Sequence, residues 1–421
     1  MNLLATSRGR LVLFTCLYAA EGAPIGFIWW ALPTLLRRRG VELERITSLL
    51  ALLVLFWTLK FLWAPLVDAL RGPRWGLRAW IASAQAAMGL TLLPLVVLDP
   101  VRDFTTVAAL LAAHSLAAAT QDVAIDALAV RTVEITRRGT LNGCMQAGML
   151  VGRSLFGGGA LWMEARWGAH GVILGLVAVL GASLALLPFV DERALNPAPA
   201  GPLGMATRWR SLAGTLGEAF ARPATWAGLA FALLAAAAFE AAGALSGPLL
   251  VDRGVAQETI GLFFGLPAAL LMLTGALAGG RLGDRSRRLR VLAASSIGFV
   301  TAVLAVAAVD HLALEPPAAR LVPLAVMYLF VGSFTAVSYS VFMDLTDPRL
   351  GGTQFSAYMG ATNCCEAWAS WAGGAVAARA GYPLALVAMA AVSLASLGLL
   401  ARLKPVEVRS GEAPRTRSSP R

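Results

Sequence analysis

The chain has 421 residues, of which 58% are hydrophobic and only 14% are charged, and its mean hydropathy is +0.70. This composition excludes a soluble globular protein and indicates a polytopic membrane protein. The net charge of +11 does not indicate nucleic-acid binding, because the basic residues lie in short loops between apolar runs and not on one soluble face.

Twelve apolar runs are long enough to cross about 30 Å of hydrocarbon at about 1.5 Å per residue. Their predicted limits are 11–33, 46–68, 77–99, 104–130, 140–163, 168–190, 223–250, 258–280, 289–310, 318–343, 352–378 and 382–403. The sequence therefore predicts an all-α membrane protein with 12 transmembrane helices. The four cysteines fall inside these runs, so we interpret them as packing residues and not as a disulfide framework.

The loops predict how the chain is divided and oriented. Most of the 35 Lys and Arg residues lie on the N-terminal side of the membrane, which predicts that both termini are cytoplasmic. The Pro-containing segment 191–222 is predicted to be a cytoplasmic linker between six-helix bundles at 1–190 and 223–404. Within this linker, residues 209–220 are predicted to lie along the membrane as an amphipathic helix. The polar, Arg-rich tail 405–421 is predicted to be a disordered cytoplasmic tail.

Acidic residues inside the predicted spans are the first candidates for function. Asp122 and Asp126 are four residues apart in the fourth span, so a helix places them on one face about 6 Å apart along its axis. Glu21 lies near the middle of the first span, and Lys60 lies in the second span at nearly the depth of Asp122. Intramembrane ionisable groups usually face a bundle interior and serve proton or ion paths. We therefore predict that these four residues couple protons, with Lys60 paired either to Asp122 or to Asp126, or forming only a structural salt bridge.

A second set of polar residues indicates substrate binding. Arg153 and Glu366 lie deep in the fifth and eleventh spans, where Arg153 could bind a carboxylate through its planar guanidinium and Glu366 an amine or hydroxyl. Gln121, beside Asp122, completes this predicted set. The alternative is that these residues pair with neighbours and only fix packing. Glu240, in the seventh span, we assign to the outer membrane edge, where its carboxylate reaches the headgroups.

The two halves of the chain repeat one another. Arg39-Gly40-Val41 recurs as Arg253-Gly254-Val255, and Leu35-Leu36 recurs as Leu249-Leu250 at the same offset. With small drifts the repeat also aligns the following pairs: Asp68 with Asp284, Asp126 with Asp344, Arg131 with Arg349, Arg153 with Glu366, and Gly139-Thr140 with Gly352-Thr353. An internal repeat of this kind is typical of transporters in which two bundles rock around a midplane site.

The loop after the eighth span, Gly280 to Arg288, resembles the cytoplasmic motif of the major facilitator superfamily, and the loop that begins at Asp68 is a weaker copy. The resemblance implies the major facilitator fold, with two pseudo-symmetric six-helix bundles. It also implies that acidic and basic residues of these loops hold helix ends together in one conformation. The predicted gate residues are Asp68, Arg71, Asp284, Arg285, Arg288, Arg131, Asp344 and Arg349.

Three stretches resemble the AmpG-type permeases of the peptide and acetyl-coenzyme A transporter family: Glu21-Gly22-Ala23-Pro24, Lys60 to Asp68, and Thr120 to Ala127. Gly352-Thr353-Gln354-Phe355 extends this likeness to the second half. Muropeptide permeases of that family carry N-acetylglucosaminyl-anhydromuramyl peptides inward with the proton gradient. The resemblance therefore implies a proton symporter for a small polar solute in the bacterial inner membrane, and siderophore or acetyl-coenzyme A transport is the alternative within the family.

Functions of other classes are less consistent with the sequence. Three histidines, no HExxH motif, no Cys/His metal spacing and no nucleophile with a visible base argue against an enzyme or a metal centre. A receptor without transport would not need both gate loops and the buried ionisable groups. We expect no cofactor and no nucleic-acid partner; the expected partners are the lipid bilayer, protons and the solute, and we expect a monomer.

Overall fold

The computed structural model describes residues 2–41, 43–71, 75–192 and 205–403. Every regular element within these ranges is helical. The tail predicted at 405–421 and the Pro-rich part of the linker lie outside the described residues. The prediction of an all-helical membrane protein is confirmed.

The first six spans follow the predicted order. The first is Ser7–Gly26, continued by a π-helical turn Phe27–Ala31 and by Leu32–Arg38; the second is Leu43–Leu59, Lys60–Leu62 and Ala64–Ala69; the third is Leu77–Leu92 with Leu93–Val96; the fourth is Phe104–Thr132; the fifth begins as Arg138–Phe156. The helical run Gly158–Leu184 turns at Gly168, whose φ of 70° favours glycine. The part before this turn completes the fifth span, and the part after it forms the sixth.

The last six spans follow a separate linker helix, Met205–Phe220. The seventh span is Pro223–Leu234 with Ala237–Asp252, the eighth Gln257–Gly265 with Pro267–Arg285, the ninth Arg288–His311, the tenth Pro317–Arg320 with Leu321–Leu345, the eleventh Gly351–Ala380, and the twelfth Tyr382–Ser396 with Leu397–Arg402. The elements agree with a twelve-helix fold of two six-helix halves.

Nine helices of the described chain are long and apolar enough to cross a membrane on length and composition alone. The second, fifth and eleventh spans do not meet this standard, because they are interrupted or carry polar residues that face other helices. In the second span, Pro65 has no N–H to continue the helical hydrogen-bond ladder, and a 3₁₀ turn Lys60–Leu62 precedes it. Lys60 of the second span both weakens its hydropathy signal and is buried in the bundle.

Glycines bring the first and fifth spans into backbone contact. A Cβ added to Gly22 would meet the backbone of Met149, and one added to Gly26 would lie 2.7 Å from the Cα of Arg153. Small residues at a helix interface allow this close approach in membranes. The contact fixes the backbone of Arg153 against the first span, near Glu21.

The linker helix packs on the protein itself. Leu212 and Ala219 of this helix are buried in one cluster with Ala69, at the end of the second span, and Leu350, between the tenth and eleventh spans. The amphipathic helix predicted around 209–220 is present, and part of its apolar face is covered by protein. That it lies along the membrane stays a prediction. We call this end of the bundle the linker end, and the opposite end the distal end.

Candidate functional site

Four ionisable side chains are buried together between the first, second and fourth spans. Glu21 and Asp126 are each 1% exposed, Lys60 3% and Asp122 5%. The charge of Glu21 is within electrostatic range of the other three. These are the four residues that the sequence proposed for proton coupling, and we call them the carboxyl cluster.

Lys60 contacts Asp122 directly. Its ammonium group donates a hydrogen bond to Asp122 Oδ2 and lies 5.9 Å from the centre of the Trp57 ring. The sequence left open whether Lys60 would meet Asp122 or Asp126, and the structure places it on Asp122. The 3₁₀ turn that begins at Lys60 directs this side chain into the bundle.

Asp126 has a different partner. The phenol of Tyr18 donates a hydrogen bond of 2.6 Å to Asp126 Oδ1, and the carboxyl groups of Asp122 and Asp126 lie within hydrogen-bonding range of each other. Asp126 Oδ2 and Glu21 Oε2 are buried and have no hydrogen-bond partner among the described residues. Two carboxyl groups that close together cannot both be ionised without repulsion, so they form a natural place for a shared proton.

Arg153 lies at the border between this cluster and the second half of the protein. Its Nε is buried and makes no hydrogen bond within the part of the chain that the structure describes, and its charge acts on Glu21. The hydroxyl of Tyr339, in the tenth span, is within electrostatic range of Arg153, Asp122 and Asp126. Sequence reasoning missed Tyr339, because one tyrosine in an apolar run carries no signal of a polar surrounding.

Glu366 of the eleventh span lies within electrostatic range of Glu240 of the seventh. The two carboxylates interact electrostatically, and the charge of Glu240 also reaches Tyr339. Glu240 is half-buried and follows the break at 235–236 in the seventh span. Its assignment to the outer membrane edge stays a prediction. Gln121 is completely buried, and both of its amide atoms have no partner.

Two aspartates join the halves at the linker end in the same way. Asp68 accepts hydrogen bonds from the backbone N–H groups of Gly352 (3.2 Å) and Thr353 (2.7 Å) and from the Thr353 hydroxyl (2.7 Å). Asp284 accepts from the backbone N–H groups of Gly139 (2.7 Å) and Thr140 (2.6 Å). Each carboxylate therefore sits at the N-terminal end of a helix of the opposite half, where unpaired N–H groups favour an anion.

The arginines predicted for the gate mostly bind backbone carbonyls across the same interface. Arg71 donates to the carbonyl of Arg349 (2.9 Å) and also contacts Asp68 (3.2 Å), and Arg131 donates to the carbonyl of Pro348 (2.8 Å). The Arg349 side chain instead contacts Asp347 and Glu218 of the linker helix. Burial of Asp347 opposes its ionisation, but the hydrogen bonds from Arg349 outweigh it and lower the pKa of that carboxyl.

Asp344 is held by two arginines. Arg288, one of the predicted gate residues, binds Asp344, Asp284 and the carbonyl of Ile135. Arg138, which the sequence did not single out, donates to Asp344 (3.1 Å) and to the carbonyl of Met343 (2.6 Å). Arg285 is exposed. The correspondence of Arg131 with Arg349 suggested equivalent roles for them, but their guanidinium groups have different partners.

The hydrogen bonds between the halves concentrate at the linker end and reach inward to Asn363, whose amide donates to the carbonyl of Trp57 (3.4 Å). The linker end is therefore closed in this conformation. Among the described residues, no three His, Cys, Asp or Glu side chains are arranged to hold a metal ion. The chemistry available is proton exchange at buried carboxyl groups and binding of polar groups by Arg153, Glu240, Glu366 and Tyr339.

The model of the Major Facilitator Superfamily matches residues 14–314 and 241–420 of the chain. With twelve spans, a two-fold repeat and a symmetric contact network at the linker end, the chain belongs to this superfamily of membrane transporters. The predicted fold class is confirmed.

The chain is similar to AmpG-type permeases. It is 25% identical over 293 residues to the anhydromuropeptide permease of Escherichia coli K12, a match that covers 67% of this chain and 57% of the relative, so the chain matches little more than half of that protein's length. It is 22% identical over 372 residues to putative transporter AmpG 4 of Rickettsia conorii, which covers 85% of this chain and 87% of the relative. The predicted resemblance to this family is confirmed.

Solved structures show the same fold. A bacterial homologue of the iron transporter ferroportin in an outward-facing state aligns with a TM-score of 0.71 at 17% identity, covering 96% of this chain and 99% of that one. The fucose:proton symporter of Escherichia coli aligns with a TM-score of 0.71 at 11% identity, covering 94% and 98%. At this level of identity the likeness establishes the architecture.

Proposed function

We propose that the protein is a proton-coupled importer of anhydromuropeptide-like polar solutes that works by alternating access. The observation that carries this proposal is the carboxyl cluster: three buried carboxyl groups with Lys60 as their one contacting ammonium group among the described residues. The name of the similar Escherichia coli permease supplies the solute class. The linker end is the cytoplasmic side in this proposal, with both termini there and the protein in the inner membrane.

The charges of the cluster favour proton binding. If Glu21, Asp122 and Asp126 were all ionised, Lys60 would neutralise only one of the three charges. Among the described residues, no ion pair joins the nearby Arg153 to the other two carboxylates. Unpaired charge at membrane depth costs at least a few kcal/mol per group. A bound proton removes one such charge without any change in packing, so the cluster is suited to take up a proton from one side and release it to the other.

The network at the linker end provides the alternation. Asp68 and Asp284 bind helix N-termini of the opposite half, and both sets of bonds must break for the linker end to open. The contacts are charge-assisted hydrogen bonds with definite geometry, which form in one state and separate in the other. The two aspartates with Arg71, Arg131, Arg138 and Arg288 are the gate in this proposal.

Residues from both halves supply groups for a polar solute. Arg153 presents a guanidinium with an unused Nε, which suits a carboxylate. Glu240 of the second half interacts electrostatically with Tyr339 and with Glu366. Both carboxylates suit an amine or hydroxyl. A peptide attached to a sugar carries all of these groups, whereas a purely apolar solute would leave the buried charges without partners.

Uptake of a radiolabelled N-acetylglucosaminyl-anhydromuramyl peptide into proteoliposomes tests the proposal. We expect accumulation above equilibrium when a pH gradient is imposed, and loss of accumulation with a protonophore. The Asp122→Asn variant should equilibrate the solute but fail to concentrate it, whereas Asp99→Asn, in an exposed loop, should accumulate it normally. Accumulation that a protonophore leaves unchanged would reject proton coupling.

A further inference from the structure

Tyr18 makes a contact that neither packing nor solute binding requires. Its phenol is 5% exposed and donates to Asp126 Oδ1 at 2.6 Å. A buried phenol needs a hydrogen-bond acceptor, but a backbone carbonyl or a serine hydroxyl could serve that purpose without bringing in a charged group. This tyrosine instead binds one of three acids in a space with one contacting ammonium group.

The helical geometry places Tyr18 so that it acts on the whole cluster. Tyr18 and Glu21 are three residues apart on one face of the first span, and Asp122 and Asp126 are four apart on the facing side of the fourth. The charges of all three acids are within electrostatic range of the phenol. The two helix faces thus bring one neutral donor and three carboxyl groups together, with the hydrogen bond formed to Asp126.

The oxygen atoms of Asp126 are left in different situations. Oδ1 is occupied by the phenol, whereas Oδ2 is buried without a partner. A donor such as a phenol stabilises the ionised carboxylate, because it interacts more strongly with a full negative charge than with a neutral acid. The free Oδ2 then remains available to accept a proton.

We propose that Tyr18 is a positioning residue for proton coupling: by holding Asp126 through Oδ1, it keeps this carboxylate ionised between proton-binding events and directs the incoming proton to Oδ2. While the proton is bound to Asp126 Oδ2, this O–H donates a hydrogen bond to the carboxylate of Asp122. When the proton leaves, this hydrogen bond is lost; no other bond is made or broken. This inference rests on the proposed proton coupling and assigns a role within it to a residue of the first span.

The groups that face Asp126 determine the sign of the effect. They are Glu21 and Tyr18 on the first span, Lys60 on the second, Asp122 on its own span and Tyr339 on the tenth. The charge of Arg153 on the fifth span acts on Glu21. Lys60 is bound to Asp122, so Tyr18 is the group that donates directly to Asp126. Removing the phenol oxygen should therefore make Asp126 hold its proton more tightly.

The test is infrared difference spectroscopy of the purified full-length protein in lipid, titrated with protons alone. In Tyr18→Phe the carboxyl C=O band should move to higher frequency, as expected for an acid that loses a hydrogen bond. Its titration midpoint should move to higher pH, corresponding to about tenfold tighter proton binding. A fluorinated tyrosine at position 18, which keeps the shape but donates more strongly, should move the midpoint to lower pH.

Tyr382→Phe is the matched control, because Tyr382 donates to Asp252 at 2.5 Å in an exposed pair away from the cluster. It should leave the buried carboxyl band unchanged. In an Asp126→Asn background, Tyr18→Phe should produce no further shift. An unchanged midpoint in Tyr18→Phe and in the fluorinated protein, or an equal shift with Asp126→Asn present, would overturn the inference. If the Tyr18 variants shift the titration midpoint as expected but the wild-type protein shows no pH-driven uptake, the proposed function is rejected and the inference about Tyr18 is not.

Discussion

The pair formed by Lys60 and Asp122 is the most direct charge contact of the cluster, and both partners are at least 95% buried. Taking two charges out of water is costly, so such a pair contributes less to stability than its Coulombic attraction suggests. Its importance lies in what happens when one partner is lost. A single charge left inside the bundle has no compensation.

This asymmetry gives a stability prediction. Lys60→Met should lower the free energy of unfolding by about 3–5 kcal/mol at neutral pH, and Lys60→Met combined with Asp122→Asn should restore most of it. Thermal unfolding of the purified variants measures this, with Arg290→Met at an exposed position as control. Equal destabilisation of the single and double variants would contradict a charge effect.

At the residue scale, the sequence predicted the groups that carry charge but few of their neutral partners. The depth of Lys60 and the spacing of Asp122 and Asp126 were enough to predict one charged face. Tyr18 and Tyr339 could not be predicted, because a tyrosine in an apolar span is far more often a packing residue, and only the crossing of the spans shows which acid its hydroxyl meets.

At the scale of elements, the contact between the fifth and eighth spans depends on both glycine and charge. Gly139 lies against the backbone of Gly280, so that the N–H groups at the start of the fifth span reach Asp284. Side chains at these positions would keep the helices apart. The carboxylate of Asp284 and the absence of a Cβ at Gly139 therefore act together to close this part of the linker end.

Loss of that carboxylate should open the interface. Asp284→Ala removes two charge-assisted hydrogen bonds between the halves, each worth about 1.5–3 kcal/mol, besides the one from Arg288 within its own half. It should raise the population with an open linker end. Cys144 of the fifth span is within electrostatic range of Arg281 of the eighth, so its accessibility reports on the separation of these spans. In a protein whose other cysteines are replaced by serine, Asp284→Ala should raise the rate of maleimide labelling of Cys144 about tenfold or more. Arg285→Ala, at an exposed neighbouring position, should label like the parent, and equal rates for the two variants would contradict this role of Asp284.

The elements themselves were largely predictable, and their partners were not. Hydropathy gave the order of the twelve spans, but the second, fifth and eleventh are too polar or too interrupted to qualify by composition alone. The amphipathic pattern around Leu212 predicted the linker helix, yet a surface pattern does not show whether lipid or protein covers it. Arg138 was overlooked because an arginine at a helix end is also what the positive-inside rule leads one to expect.

At the scale of the whole molecule, the repeat in the sequence becomes a crosswise pair of contacts. The alignment equated Asp68 with Asp284 and Gly139-Thr140 with Gly352-Thr353, and each aspartate binds the dipeptide of the opposite half. A repeat shows which residues are equivalent, but it does not show that they touch. In the crosswise arrangement, separating the halves at the linker end breaks both contacts, so the proposed gate would open at both aspartates together.

If closure at this end alternates with opening, a bond that locks it should stop transport while leaving proton binding intact. Asn142 of the fifth span and Ser340 of the tenth have side-chain atoms 3.4 Å apart across the two halves. In a cysteine-free background, Asn142→Cys with Ser340→Cys should lose peptide uptake on oxidation and regain it on reduction, with the carboxyl titration retained. Ser295→Cys with Ser333→Cys is the matched control, because these hydroxyls lie 2.7 Å apart within one half and their disulfide leaves the halves free to move. If the protein with the oxidised cross-half pair still transported peptide, the halves would not need to separate at the linker end. That result would contradict the rocking mechanism but not proton binding at the carboxyl cluster.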